Sequence, residues 1–415
     1  MAALTAAPAE IQAAATEDQS FGGILRSRWD AFKGGDVGSV PVLVGIIAIT
    51  IFFTAKSSFF FTAVNFQNLI GQMAGVTVIA VGIVFVLLIG EIDLSVGYLS
   101  GLCSVAVAEF QLAGSNHDYP GLVSIAIAIL VGATFGALQG SIVALVGVPS
   151  FVVTLAGLLI AEGLIINLLG TQGVIGITDT KIIDVSNYIL TPKTGWIVAI
   201  VFTVLLAVAT FGSYFSRRRA GLPTGNVIFA VVRVVFFAGL IFVAVAVCNH
   251  AHPRPGVPLV GLIILFVVVA FSYLAGRTTF GRHVYAVGGN AEASRRAGIN
   301  VPLIRILCFV ISGAMAALGG VIFASRLNSV DLTFGGGTIL LDSISAAVIG
   351  GVSLFGGRGK VSGALFGGLI IGMISNGTDL VGSADWVKYV TTGSILLAAV
   401  TLDTVARRRQ AAAGR

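Results

Sequence analysis

From residue 40 to about residue 405 the chain is a succession of apolar runs, most of them near bilayer-crossing length, broken by short glycine-rich or charged stretches. A hydrocarbon core about 30 Å thick takes roughly 20 apolar residues in a helix. Inside lipid only helices and closed barrels satisfy every backbone group, and these runs lack the alternation of barrel strands. The sequence therefore predicts an all-α, polytopic transmembrane bundle. Only 10% of the residues are charged, against about 25% in soluble domains. The 54 glycines suit helices that approach one another closely.

Twelve spans are predicted, near 40–56, 66–90, 95–113, 121–147, 150–169, 194–214, 226–248, 257–276, 303–324, 339–353, 361–380 and 386–405. The tenth is short. Its flanks, Gly335-Gly336-Gly337 and Gly350-Gly351, predict a broken or re-entrant helix of the kind that lines polar pathways.

Orientation follows the lysine and arginine bias of the loops. With the N-terminus inside, 17 of the 24 basic residues face the cytoplasm, among them Arg217 to Arg219, Arg295, Arg296, Arg358, Lys360 and Arg407 to Arg409. The reversed topology would place those 17 outside. Both termini are therefore expected in the cytoplasm. The expected organisation is a cytosolic tail over 1–38, a transmembrane domain over 39–409 and a C-terminal tail over 410–415. The tail carries Glu10, Glu17 and Asp18 and lacks the apolar core of a signal peptide. Two external loops, 170–193 and 325–338, read either as solvated connectors or as a landing surface for an external partner.

Groups able to do chemistry are sparse. The net charge of +6 comes from residues at the ends of apolar runs, so nucleic acid is not an expected partner. Cys103, Cys248 and Cys308 lack metal-ligand spacing and read as small buried side chains. His250 and His252 stand two apart, too few ligands for a convincing site. Gly356-Gly357-Arg358-Gly359-Lys360 is followed by Val361, where a phosphate-cradling loop needs Ser or Thr for magnesium. This stretch reads as a basic turn. Neither a catalytic site nor a bound cofactor is expected, and any ATP hydrolysis must belong to another subunit.

The longest internal polar stretch is RTTFGRHVYAVGGNAEASRRAGINV, Arg277 to Val301, within a loop taken as 277–302. Gly288-Gly289 is a turn signal and Asn290 a good N-cap. Ala291 to Ala297, with Ala293 and Ser294, has a helical composition. Glu292 falls where the helix dipole favours an anion, and Arg295 and Arg296 where it favours cations. Gly298 is a natural terminator with positive φ. A helix this short needs something to pack on.

These residues carry a resemblance. Glu292-Ala293-Ser294, with Gly298 six residues after the glutamate, resembles the EAA-type loop of bacterial ATP-binding-cassette importer permeases. The surrounding sequence resembles that loop in monosaccharide permeases of the ribose and xylose type. The resemblance implies that this helix docks on a cytoplasmic ATPase subunit, which holds ATP and magnesium. It also implies a partner sugar-binding protein outside, a second copy of the chain, and residence in the bacterial inner membrane amid lipid.

Further matches extend it over about 40–409. EIDLSVG, Glu91 to Gly97, is similar to a sugar-permease signature, and Glu91 and PSFVVTLAG at 149–157 match the xylose-type form. LDSISAAVIGG at 341–351 and Asn376-Gly377 also fit. Spans 194–214 and 226–248, joined by 216–222, look like a pair added to a ten-span plan, as in the xylose type. Tyr98 and Cys103 depart from the pattern, which leaves the sugar open.

From the residues alone, Asp93 or Ser95 can cap the following helix. Glu91 must sit at a boundary or face a polar cavity, because charge at the bilayer centre costs about 2.5–3.5 kcal/mol. Asp342 reads either as a helix cap or as a wall of a translocation path. Asn167, Ser343, Ser345 and Asn376 are candidate path-lining groups that also suit interhelical glue. The rival cargoes are ribose, other pentoses or hexoses, nucleosides, a signalling furanose or a branched amino acid. A rival mechanism, ion-coupled transport, would use Glu109 and Glu162, both expected toward helix ends.

Overall fold

The computed structural model describes residues 40–112, 118–221 and 226–412. The expected tail over 1–38 and the last residues of 410–415 lie outside them.

Each of the twelve predicted runs holds a helix. These are α1 Val40–Lys56, α2 Ala63–Leu88, α3 Val96–Phe110, α4 Gly121–Ser141, α5 Ser150–Leu169, α7 Pro192–Arg219, α8 Val227–Asn249, α9 Leu259–Arg277, α12 Val301–Leu327, α13 Ile339–Ile349, α14 Gly363–Val381 and α15 Asp385–Ala412. α4 continues as a π-helical turn over Ile142–Val146. Three short helices join them: α6 Thr180–Asn187, α10 Thr279–Gly289 and α11 Ala291–Arg296. Among the described residues eight helices are long and apolar enough to cross a membrane.

Local chemistry sets the ends. Thr62 caps α2 by accepting from the Asn65 amide at 3.2 Å. Pro120, Pro149 and Pro258 precede α4, α5 and α9, where a fixed φ and a missing amide proton do no harm. Asn300 caps α12 through the Leu303 amide at 3.1 Å.

α2 is the central helix, almost wholly buried. It packs against α12, α14, α13 and α9, while α12 lies mainly along α4 and also on α3. Pro192–Val247, nearly all of the pair α7 and α8 that the sequence marks as added, falls in a compact unit that also takes in the end of α15. Within it the Trp196 and Phe242 rings stand 5.8 Å apart.

The two loops set apart in the sequence as possible connectors are zipped together. β1 (Val174–Gly176) pairs antiparallel with β4 (Ser329–Asp331), with Ile175 opposite Val330. α6 is held beside them, since Asn187 Nδ2 donates to the Ser325 carbonyl at 2.6 Å. β2 (Ile189–Leu190) pairs with β3 (Val257–Pro258). A polar cavity of about 260 Å³ opens here, lined by Gln67, Asn68, Asn187, His252, Arg254 and Arg326 among others.

α13 has 11 residues and is about 16 Å long at 1.5 Å per residue, half a bilayer core. The turns over 332–338 that lead into it run against α3. A Cβ on Gly97 would stand 2.8 Å from the Gly335 carbonyl oxygen, and one on Gly335 2.6 Å from that of Gly97. Gly335 has φ +87°. Two interrupted segments thus meet backbone to backbone, which only glycine allows on both sides.

Candidate functional site

The loop 277–302 folds into two helices where the sequence predicts one. Thr278 caps α10 by accepting from the Gly281 amide at 3.2 Å. α10 runs through Gly288 and Gly289, so the turn expected there is displaced by one residue. The chain breaks instead at Asn290, with φ −160° and ψ 101°. The Asn290 side chain accepts from the Ala293 amide at 2.9 Å, which caps α11. At the other end Gly298 has φ +84°, and the Ile299 amide reaches back to the Ser294 carbonyl at 3.0 Å. Ser294 is buried. Glu292 pairs with Arg295 at 3.3 Å and Arg296 at 3.2 Å, all three exposed. α11 therefore presents a charged, capped face to the surroundings.

α10 packs into the bundle corner beneath it. A Cβ on Gly288 would collide with the Leu88 carbonyl and crowd the Gly357 amide, and Gly357 itself donates to Leu88 O at 2.8 Å. The Tyr285 hydroxyl donates to Gly359 O at 2.8 Å. Burial pushes the Tyr285 phenol above its usual range. Gly356, Gly357 and Gly359 all have positive φ, which makes 356–360 the turn expected from its sequence.

At the same corner α2 ends, and the chain runs non-helically through Glu91 to Ser95. Neither Asp93 nor Ser95 caps α3. Ser95 occupies the cap position without a capping bond from its side chain. Its hydroxyl instead lies 2.7 Å from Asp93 Oδ1 and 3.1 Å from Gln139 Oε1. Asp93, 3% exposed, also accepts from the Ser95 amide at 3.0 Å and from the Ser312 hydroxyl at 2.8 Å. A buried carboxylate held by three donors is a structural node. Glu91 meets Arg305 of α12 at 3.3 Å. Gln139, a lone amide inside an apolar run, was legible as an anomaly. Ser312 and Arg305 were not, since a single sequence carries no signal for partners so distant along the chain.

The remaining path candidates separate. Asp342 is in the first turn of α13 and does not cap it, because Thr338 holds that position. Asp342, Ser343 and Ser345 are buried, and Asp342 Oδ1 and both hydroxyls have no hydrogen-bond partner among the described residues. Asn376 is engaged elsewhere. It exchanges two hydrogen bonds with Asn65, at 2.7 and 2.8 Å, so it acts as interhelical glue. Asn167 is exposed on α5 and away from that pair. Glu162 lies well inside α5, contrary to its expected place near the end, and accepts from the Tyr98 hydroxyl at 3.1 Å. Cys103, Cys248 and Cys308 are buried free thiols. Among the described residues no three His, Cys, Asp or Glu side chains cluster as metal ligands.

A sequence profile of the family described as branched-chain amino acid transport system / permease component matches residues 65–400. The chain belongs to this permease family. The permease is 33% identical to the xylose transport system permease protein XylH of Escherichia coli K12 over 406 residues, 97% of this chain and 98% of that one. It is 30% identical to the ribose import permease protein RbsC of the same strain, covering 87% and 92% of the two chains. The fructose import permease protein FrcC of Rhizobium meliloti is 30% identical, with 92% and 90% covered. No solved structure matches. Family and apolar helices together make the permease an integral membrane protein.

Proposed function

We propose that this permease is the membrane subunit of an ATP-binding-cassette importer that carries a monosaccharide, D-xylose or a related sugar. The observation that supports it most is the capped, exposed helix α11 on a chain whose relatives are named for sugar transport over nearly their whole length. α11, from Asn290 to Gly298, is the contact for a cytoplasmic ATPase that holds ATP and magnesium. The body over 39–409 lies in the bacterial inner membrane with both termini in the cytoplasm. The paired strands β1 and β4 then face outward and receive a sugar-binding protein. Two copies of the chain enclose the path. Asp342, Ser343 and Ser345 supply hydrogen-bonding groups there, because their unpartnered atoms suit a passing polyol or water better than a dry interface.

The test uses proteoliposomes with the permease, its ATPase and its binding protein. Glu292→Gln is expected to abolish sugar-stimulated ATP hydrolysis, and wild-type stimulation in that variant would defeat the docking assignment. Melting-temperature screening of the binding protein, pentoses against hexoses, reads the cargo. Stabilisation by neither class would overturn the sugar. Uptake that fails when the proton gradient collapses but survives ATP depletion would favour ion coupling.

A further inference from the structure

From sequence, Glu91 sits at a boundary or faces a polar cavity, and Asp93 or Ser95 caps the following helix. The contacts of the segment Glu91 to Ser95 point to another role. All of its polar side chains and the backbone of Ile92 are tied to a helix. Glu91 is paired with Arg305 and Asp93 is bonded by Ser312. The Ile92 amide donates to Ser150 Oγ at 3.2 Å, and Thr154 Oγ1 donates to Ile92 O at 3.4 Å. Ser95 reaches Gln139. Each of these contacts ties the segment to a neighbouring helix.

Arg305 and Ser312 are seven apart on α12. That spacing is two helical turns and puts both on one face. One face of one helix therefore grips the segment at two points. The same helix starts directly after α11, with only 297–300 between them. That link is stiff, because the Ile299 amide is bonded to Ser294 O, and Asn300 caps α12. A shift of α11 is thus passed to the first turns of α12, and from there to Glu91 and Asp93. α3 begins one residue beyond Ser95, and Gly97 of α3 touches Gly335. The chain of contacts leads on to the turns that position α13, where Asp342 Oδ1 and the hydroxyls of Ser343 and Ser345 have no partner among the described residues.

We infer that the Glu91–Arg305 ion pair is the element that transmits movement of α11 to the interrupted segments of the bundle, and that Glu91 acts as a positioning residue for coupling. The inference rests on the docking role proposed for α11. The pair suits the task. Its side chains are 16% and 27% exposed, so it is less screened than a surface pair, yet water can reach it when it opens. It also joins two elements whose backbones share no ladder, beside the second grip of Ser312 on Asp93.

The experiment reconstitutes the whole importer, with D-xylose as the probe, and compares wild type with Glu91→Arg, Arg305→Glu and the double exchange. Each single exchange is expected to lower sugar-stimulated ATP hydrolysis about tenfold, within the range that coupling residues control. Basal hydrolysis and co-purification of the ATPase should stay as in wild type. The double exchange should restore stimulation, which a merely structural loss would not do. Should the reversals misfold, Glu91→Gln keeps shape and Arg305→Gln keeps a polar side chain, each removes one charge, and the same loss of stimulation is expected. Wild-type stimulation in the single variants would overturn the inference while leaving the docking role intact. Loss of ATPase co-purification would also overturn it, since the pair would then serve docking. Absence of stimulation in wild type, with D-xylose and with every sugar that stabilises the binding protein, would sink the docking role and the inference together.

Discussion

The Ser312 hydroxyl of α12 donates to Asp93 Oδ2 at 2.8 Å, across 219 positions of sequence. Asp93 is 3% exposed and Ser312 wholly buried. Removing one partner of a buried hydrogen bond costs about 1–3 kcal/mol. Ser312→Ala should therefore lower the thermal unfolding midpoint of the purified permease clearly. Ser104→Ala should do so much less, because that hydroxyl bonds only Ser100 O of its own helix, at 2.7 Å. Equal midpoints for the two variants would remove Asp93 from the role of a node.

Gly97 and Gly335 should tolerate no side chain. A methyl on Gly97 would meet the Gly335 carbonyl oxygen at 2.8 Å, an overpacking that costs about 1–3 kcal/mol. Gly163 on α5 has open space around it. Gly163→Ala should be neutral or stabilising by up to about 1 kcal/mol. Thermal denaturation of the two variants side by side reads the contrast.

Asn65 and Asn376 should behave as one unit. Each single alanine variant leaves the other amide buried and short of partners, costing about 1–3 kcal/mol. The double variant should cost less than the sum of the two, and a double-mutant cycle on unfolding midpoints gives the coupling. Strict additivity would mean that the pair is not formed in the membrane.

Glu292 should matter for coupling and not for folding. Its partners are exposed, and exposed ion pairs contribute about 0–1 kcal/mol. Glu292→Gln should leave the unfolding midpoint within measurement error while stimulated hydrolysis is lost. Asn290→Ala should weaken α11 by about 1 kcal/mol, and Asn290→Ser should recover most of that. ATPase affinity measured on the two variants orders them.

Much of this was legible because it is local. The apolar runs marked twelve helices, since span length is set by lipid thickness. The caps at Asn290 and Gly298 were readable from residue type, since a cap bonds its own next turn. Gly288 and Gly289 misled for the same reason. Alone they signal a turn, but α10 is pressed so closely on Leu88 O that glycine is needed there inside a helix. Asp342 and Asp93 misled in a similar way, as short polar residues near helix starts that prove not to cap.

The sequence by itself determined that this chain is a helical membrane protein and that it carries a short capped helix between its eighth span, α9, and its ninth, the long α12. Those features depend on apolar length, charge and residue conformation within a few positions. The tertiary structure decided which polar groups are spent and which remain. It paired Glu91 with Arg305, Asp93 with Ser312 and Asn65 with Asn376, zipped β1 onto β4, and left Asp342 Oδ1 and the hydroxyls of Ser343 and Ser345 without a partner among the described residues. Each pairing depends on polar atoms far apart in sequence coming within about 3 Å, a distance set by packing in three dimensions.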